Sequence, residues 1–159
     1  MQGKATLMGH PIHPMLIPFP IAFFVGALVC DIISAFGNAP MWPTISVVLI
    51  GFGIVGALVA ALFGFTDYLT APMSADAKKT ATAHMLLNLV VVAIFAIAFF
   101  LRYDKPPSTA GYVVTVLGVV VLAISGSLGG HLVFHHGVGV DDRTVPPDRL
   151  IRGTGTKGR

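Results

Sequence analysis

Histidine and aspartate are the residue types in this sequence with the clearest capacity for chemistry. His10 and His13 are at positions i and i+3 in "GHPIHPMLIPFPIA", just before an apolar run. His84 begins a later run, and the last run closes with His131, His135 and His136. Neutral imidazoles bind transition metals and haem iron, and a carboxylate can orient such an imidazole by accepting a hydrogen bond from its other ring nitrogen. The two aspartates within apolar runs, Asp31 and Asp67, are the candidate carboxylates.

The elements that must position these groups are membrane helices. The chain is 55% hydrophobic and 11% charged, with a mean hydropathy of +0.84, which is too apolar for a soluble domain of 159 residues. Four stretches reach the length of about 20 apolar residues that a bilayer requires. They are Met15–Phe36, Pro43–Leu69, Thr82–Leu101 and Ala110–Phe134. Short connections predict an all-α, antiparallel four-helix membrane bundle over residues 1–140, followed by a flexible polar tail over 141–159.

Folding the four spans back and forth places all six histidines and Asp67 at one end of the bundle. Most lysines and arginines belong to the same end, whereas the opposite end has Arg102 and Lys105 as flanking charges. The positive-inside rule therefore predicts that both termini are cytoplasmic. The net charge of +3 shows no basic patch interleaved with aromatic residues, so nucleic acid is not an expected partner.

Helical spacing predicts which polar side chains face inward. A stripe of small residues, Gly53, Ala57, Ala60 and Gly64, leads to Asp67 on one face of the second span, and small residues let membrane helices approach closely. His84 and Asn88 share a face of the third span. A buried ionisable group needs a partner. We expect a histidine, His84 first, beside Asp67, while hydroxyl groups or an amide remain open as partners for Asp31.

Four segments also resemble an uncharacterised bacterial membrane family, domain of unknown function 2231. They are "GHPIHPMLIPFPIA", "GFTDYLT", "AHMLLNLVVV" and "SGSLGGHLVFHHGVGV". The resemblance implies a four-helix domain of the bacterial inner membrane, joined in some relatives to a Rieske-type iron–sulfur domain. The family pattern is matched at His10, His13, Asp31, Asp67, His84, Asn88 and His136. It differs at Ser127 and at His131, which favours His13, His84 and His136 over His131 and His135 as ligands.

These observations leave three functions open. The first is electron transfer by haem b or a transition metal. Haem would draw on His13, His84, His136, His10 and His131, and a metal ion on His13, Asp67, His84 and His136, with a separate redox protein as partner. The second is a proton relay or transporter, which would need a homodimer. The third is a non-catalytic scaffold. Nucleophilic catalysis has no support, since Cys30 has no neighbouring base.

Overall fold

Each of the four apolar stretches forms a long helix in the computed structural model, which describes residues 3–37, 39–104 and 108–140. The predicted flexible tail, residues 141–159, lies outside the described residues. Helix α1 (Ile12–Leu16) and helix α2 (Pro18–Phe36) together make the first span. The others are α3 (Met41–Thr70), α4 (Ala75–Phe100) and α5 (Thr109–Phe134). The prediction of an all-α membrane four-helix bundle is confirmed.

Local sequence explains where the helices begin and break. Pro18 and Pro20 lack the N–H groups that a continuous helix would use, and the first span is interrupted at Ile17 between α1 and α2. Ser74 caps α4 by accepting a hydrogen bond from the Ala77 N–H at 3.2 Å. The prediction that this span begins at Thr82 is therefore wrong, because the Ser74 cap starts the helix in the charged segment that precedes it.

The bundle is arranged as two hairpins, α2 with α3 and α4 with α5, and contacts between α3 and α4 and between α2 and α5 close the ring. Its core is an apolar layer in mid-membrane. The rings of Phe24 and Phe95 stack with their centroids 3.7 Å apart, and Ala27, Ile50, Val91 and Ala98 complete the layer. Outward-facing apolar side chains such as Leu62 and Val55 remain exposed, as a lipid-facing surface requires.

A small hairpin precedes the first span. Strand β1 (Thr6–Leu7) pairs with strand β2 (His10–Pro11) in antiparallel register, and Met8 and Gly9 form the turn. We call the end of the bundle that carries this hairpin the histidine end. It is where α2 and α4 begin and where α3 and α5 finish. The opposite end is called the arginine end, because it carries Arg102.

The predicted small-residue stripe of α3 does face protein, and Gly53 shows why. A Cβ at Gly53 would lie 2.5 Å from Cε1 of Phe24, whose ring is held against Phe95. A Cβ at Gly126 in α5 would meet nothing within 4 Å. Substitution of each glycine by alanine therefore distinguishes two effects on stability. Both changes raise helix propensity, but only the change at Gly53 creates a steric clash.

We expect Gly53→Ala to destabilise the bundle by about 1–3 kcal/mol through overpacking, although alanine is the better helix former. Gly126→Ala is the matched control and should leave stability unchanged or raise it. The measurement is circular dichroism of the detergent-solubilised protein during an SDS titration. Equal unfolding midpoints for the two variants would contradict the close packing of Phe24 on α3.

Candidate functional site

His13 is fixed to α3 by a hydrogen bond across the histidine end. Its Nδ1 donates to the main-chain carbonyl of Ala60 at 2.9 Å. Because a carbonyl oxygen only accepts, Nδ1 carries a proton, and the neutral form of the ring would have its lone pair on Nε2. Gly64 gives the ring its place, since a Cβ there would lie 2.9 Å from Nδ1 and Cε1 of His13. The ring is thus oriented with one nitrogen bound to the protein and the other available as a ligand.

His84 is held in the same way against α5. Its Nδ1 donates to the Ser125 carbonyl at 2.8 Å, and its Nε2 accepts from the Asn88 amide at 3.0 Å. The Ser125 hydroxyl then donates to Oδ1 of Asn88 at 3.1 Å. A Cβ at Gly129 would lie 3.1 Å from the His84 ring. His84 and Asn88, which helical spacing placed on one face of the third span, are thus joined by a hydrogen bond, and Ser125 completes a closed hydrogen-bond circuit.

His13 and His84 share one pattern of hydrogen bonding. Both are half-buried, and each ring donates through Nδ1 to a main-chain carbonyl of another helix. With Nδ1 protonated, Nε2 is the nitrogen of each ring that could act as a ligand. The histidine end therefore presents two imidazoles with the same Nδ1 donation, one from α1 and one from α4.

Asp67 serves a different purpose from the one expected. Its Oδ1 accepts a hydrogen bond from the Ala5 main-chain N–H at 3.2 Å, and the Lys4 N–H donates to the Thr70 hydroxyl at 2.9 Å. A Cβ at Gly3 would lie 2.1 Å from Asp67 Oδ1. The carboxylate thus holds the amino-terminal segment on the end of α3, and an imidazole is not the partner that the structure gives it.

The remaining histidines make different contacts. Nδ1 of His10 bonds to the Met8 carbonyl at 3.1 Å and closes the hairpin turn. His131 and His135 stack with ring centroids 4.5 Å apart and planes 17° from parallel, and His136 stands edge-on to both. Ring lone pairs lie in the ring plane, so stacked rings do not direct them at one point.

The predicted metal ligands His13, Asp67, His84 and His136 are therefore not brought together. Within residues 3–37, 39–104 and 108–140, no group of three or more His, Cys, Asp or Glu side chains is placed to hold a metal ion.

A second polar cluster, at the arginine end, was missed by the sequence analysis. Arg102 follows α4, its side chain is 0% exposed, and its Nη1 donates to Oδ1 of Asp31 at 2.6 Å. Further donations reach Ser46 of α3 at 3.3 Å, Thr115 of α5 at 2.8 Å and the Ala98 carbonyl of α4 at 3.2 Å. One side chain thereby connects all four spans.

The interpretation of Arg102 as a flanking charge is therefore wrong, and the partner of Asp31 is a guanidinium rather than a hydroxyl group or an amide. Two signals in the sequence point to this pair. Asp31 lies about one turn before the end of α2, so it matches the depth of Arg102 just beyond α4. Gly111 leaves room for the arginine, since a Cβ there would lie 2.4 Å from Arg102 Cδ.

The two polar clusters are separated by the apolar layer of Phe24 and Phe95. On α4, Val91, Phe95 and Ala98 all fall between Asn88 and Arg102. Tyr112 covers the arginine cluster, with its ring centroid 5.6 Å from Arg102 Cζ and its hydroxyl bonded to Ser34 at 2.9 Å. The described hydrogen bonds thus form two local networks rather than one path across the bundle.

Removing one partner of the buried ion pair should be costly. We expect Arg102→Met to lower the free energy of unfolding by about 3–5 kcal/mol, because it leaves the Asp31 carboxylate buried without its counter-charge. Asp31→Leu combined with Arg102→Met should recover much of that loss. SDS titrations of the single and double variants measure both effects, and Lys79→Met, in an exposed ion pair, is the control. Strict additivity of the two single changes would contradict the direct pairing.

Loss of the Asp67 carboxylate should release the amino-terminal segment. In Asp67→Ala, the Ala5 N–H loses its acceptor, and we expect faster tryptic cleavage after Lys4 in the detergent-solubilised protein. Asp76→Ala is the matched control, because Asp76 is an exposed aspartate at the same end of the bundle. Mass spectrometry of the cleaved chains gives the rates. Identical rates for the two variants would refute the anchoring role of Asp67.

Comparison with known proteins agrees with this architecture. The family model described as "Predicted membrane protein (DUF2231)" matches residues 9–142. That range includes every span and both polar clusters. Neither the curated proteins nor the solved structures give a match to this chain. Because the family model covers most of the 159 residues, the chain belongs to the membrane-protein family of domain of unknown function 2231.

Proposed function

We propose that this protein is a redox subunit of the bacterial inner membrane that binds haem b between His13 and His84. The observation that supports this most directly is the shared tautomer of the two rings. A histidine that ligates iron through Nε2 commonly donates its Nδ1–H to a carbonyl or carboxylate, which fixes the ring and raises its basicity. His13 and His84 both make this donation, to Ala60 and to Ser125.

The number of available ligands favours haem over a bare metal ion. A haem iron with two axial histidines needs two imidazoles from the protein, whereas zinc and similar ions take three or four protein ligands. No group of three metal-ligating side chains exists in the described part of the chain. A pair of imidazoles therefore suits haem iron better than a free ion.

Ligation through His84 would require the Asn88 side chain to move. Asn88 donates to His84 Nε2, so this amide must turn away before the nitrogen can ligate iron. Nδ1 of His84 would keep its bond to the Ser125 carbonyl during that change. Bound haem would supply one-electron chemistry, while the residues of this chain hold the imidazoles neutral and set their direction.

The charges at the two ends support a cytoplasmic position for the histidine end. Lys4, Lys78 and Lys79 belong to that end. The arginine end has Arg102 and Lys105 in the sequence. The excess of basic residues at the histidine end favours its position on the cytoplasmic side. A separate redox protein on the cytoplasmic side would then exchange electrons with the site.

The test is the absorption spectrum of the purified protein. Expressed with a haem precursor and purified in mild detergent, the protein should show a Soret band that shifts on reduction by dithionite. His13→Ala and His84→Ala should each abolish bis-histidine ligation, because each removes an axial imidazole. His135→Ala is the matched control and should keep the spectrum, while Asn88→Ala should keep or increase haem binding because it frees His84 Nε2.

Unfolding midpoints of the same samples show whether a variant that loses the haem spectrum is still folded. A protein that stays colourless after expression with the precursor and after incubation with hemin would refute the proposal. Haem that remains bis-histidine-ligated in both alanine variants would refute the assignment of these two ligands.

A scaffold is the second candidate, and the closed circuit of His84, Asn88 and Ser125 favours it. In that circuit both ring nitrogens of His84 are hydrogen-bonded, and the bonds of His84 and Asn88 to Ser125 join α4 to α5, as a purely structural cluster would require. The scaffold function predicts that His84→Ala lowers stability in a protein that binds no haem. A relay across a single bundle has less support, because the apolar layer of Phe24 and Phe95 separates the two polar clusters.

A further inference from the structure

The turn of the amino-terminal hairpin has an unusual residue at a demanding position. Met8 has φ of 51° and is followed by Gly9 with φ of 82°. Two-residue hairpin turns with positive φ at both positions strongly prefer Asn-Gly or Asp-Gly. Among the described residues, Met8 is the one residue other than glycine with positive φ. This conformation is unfavourable for an L-residue with a side chain, because its Cβ crowds the neighbouring backbone.

The same residue is also the most exposed large apolar side chain of the described chain. Met8 is 93% exposed, and its neighbour Leu7 is 56% exposed. In water, an asparagine or a glycine at this position would serve both the turn and the solvent better. Methionine at this position therefore suits neither the positive φ of the turn nor exposure to water. A local conflict of this kind is typical of a functional position.

The length of α3 indicates where this tip would stand relative to a bilayer. Asp67 and Thr70, at the end of α3, bind the main chain of Ala5 and Lys4. Helix α3 has 30 residues and is about 45 Å long, close to the thickness of a bilayer with its headgroups. When α3 spans a bilayer, its last turn and the hairpin bound to it would therefore lie in the headgroup layer.

The side chains around this end agree with that depth. Lys78 Nζ lies 3.5 Å from the centroid of the Tyr68 ring and donates to the Tyr68 carbonyl, and both residue types are common at membrane interfaces. Beyond the hairpin, Met15 and Phe19 are 52% and 59% exposed and continue the apolar surface into the first span. Exposed apolar side chains therefore occur both at the tip and at the start of the span that follows it.

We propose that Leu7 and Met8 form an interfacial anchor, inserted at the boundary between the headgroups and acyl chains of the surrounding bilayer. The anchor adds a membrane contact outside the four spans. It also holds His10, which bonds to the Met8 carbonyl, and α1 with His13 at a defined height. The occupant of this surface is lipid rather than a protein partner.

Site-directed spin labelling of the full chain in liposomes tests the proposal. Cys30→Ala removes the native cysteine, and Met8→Cys carries the nitroxide. Asp76→Cys is the matched control, since it is exposed at the same end but carries no apolar side chain. We expect the Met8 probe to be accessible to oxygen and shielded from a water-soluble nickel chelate, and the Asp76 probe to show the reverse.

Two results would overturn the anchor. Nickel accessibility at position 8 equal to that at position 76 would mean that the tip stands in water. An immobilised probe shielded from both oxygen and nickel would mean that protein covers the tip.

A second variant tests the role of Met8 without straining the turn. Asparagine suits positive φ, so Met8→Asn should keep the hairpin while removing the apolar contact. A probe at Leu7→Cys should then become more accessible to nickel. Unchanged shielding of that probe would contradict a lipid contact made through Met8.

Discussion

A guanidinium that is fully buried beside a single carboxylate constrains the position of every span in this bundle. Arg102 reaches Asp31 on α2, Ser46 on α3, Thr115 on α5 and a carbonyl of its own helix. In a low-dielectric interior an unpaired charge is far more costly than a paired one, so each of these contacts must be kept at once. Small shifts of any helix would break a donor–acceptor pair that water cannot replace. The arginine end is therefore held by polar geometry rather than by apolar packing.

The rest of the architecture follows from that fixed end. Directly toward the membrane centre, Phe24 and Phe95 stack, and Gly53 on α3 allows the close approach of the Phe24 ring. One acceptor of the arginine cluster has no donor, because Oδ2 of Asp31 is buried without a hydrogen-bond partner among the described residues. Tyr112 and Ser34 cover it between α5 and α2. Such a cluster stabilises one arrangement of the helices, since alternative arrangements would leave more buried donors unpaired.

The histidine end is built differently, from neutral rings and main-chain carbonyls. His13 and His84 each use Nδ1 to bind a carbonyl of a neighbouring helix, and glycines at positions 64 and 129 let the rings approach. Neutral groups with satisfied hydrogen bonds tolerate local rearrangement better than a buried ion pair does, because no charge is stranded when one bond breaks. The bundle thus combines an end held by a buried ion pair with an end held by hydrogen bonds from imidazole rings to main-chain carbonyls.

Sequence alone determined the spans and the end to which each polar group belongs. Apolar length and short connections require antiparallel membrane helices, and the depth of a residue then follows from its position in a helix. Helical spacing also indicated that the stripe from Gly53 to Asp67 faces protein and that His84 and Asn88 share one face of their helix. These conclusions depend on distances along one helix, which hardly vary.

Only the tertiary structure decided which groups meet. Depth does not fix how a helix is rotated or which of several donors at one level reaches an acceptor. For that reason Asp67 binds the main chain of Ala5 instead of an imidazole, and Arg102 turns inward to Asp31 instead of remaining at the surface. Both outcomes depend on long-range contacts, 62 and 71 residues apart in the chain, whose geometry is set by the packing of all the helices together.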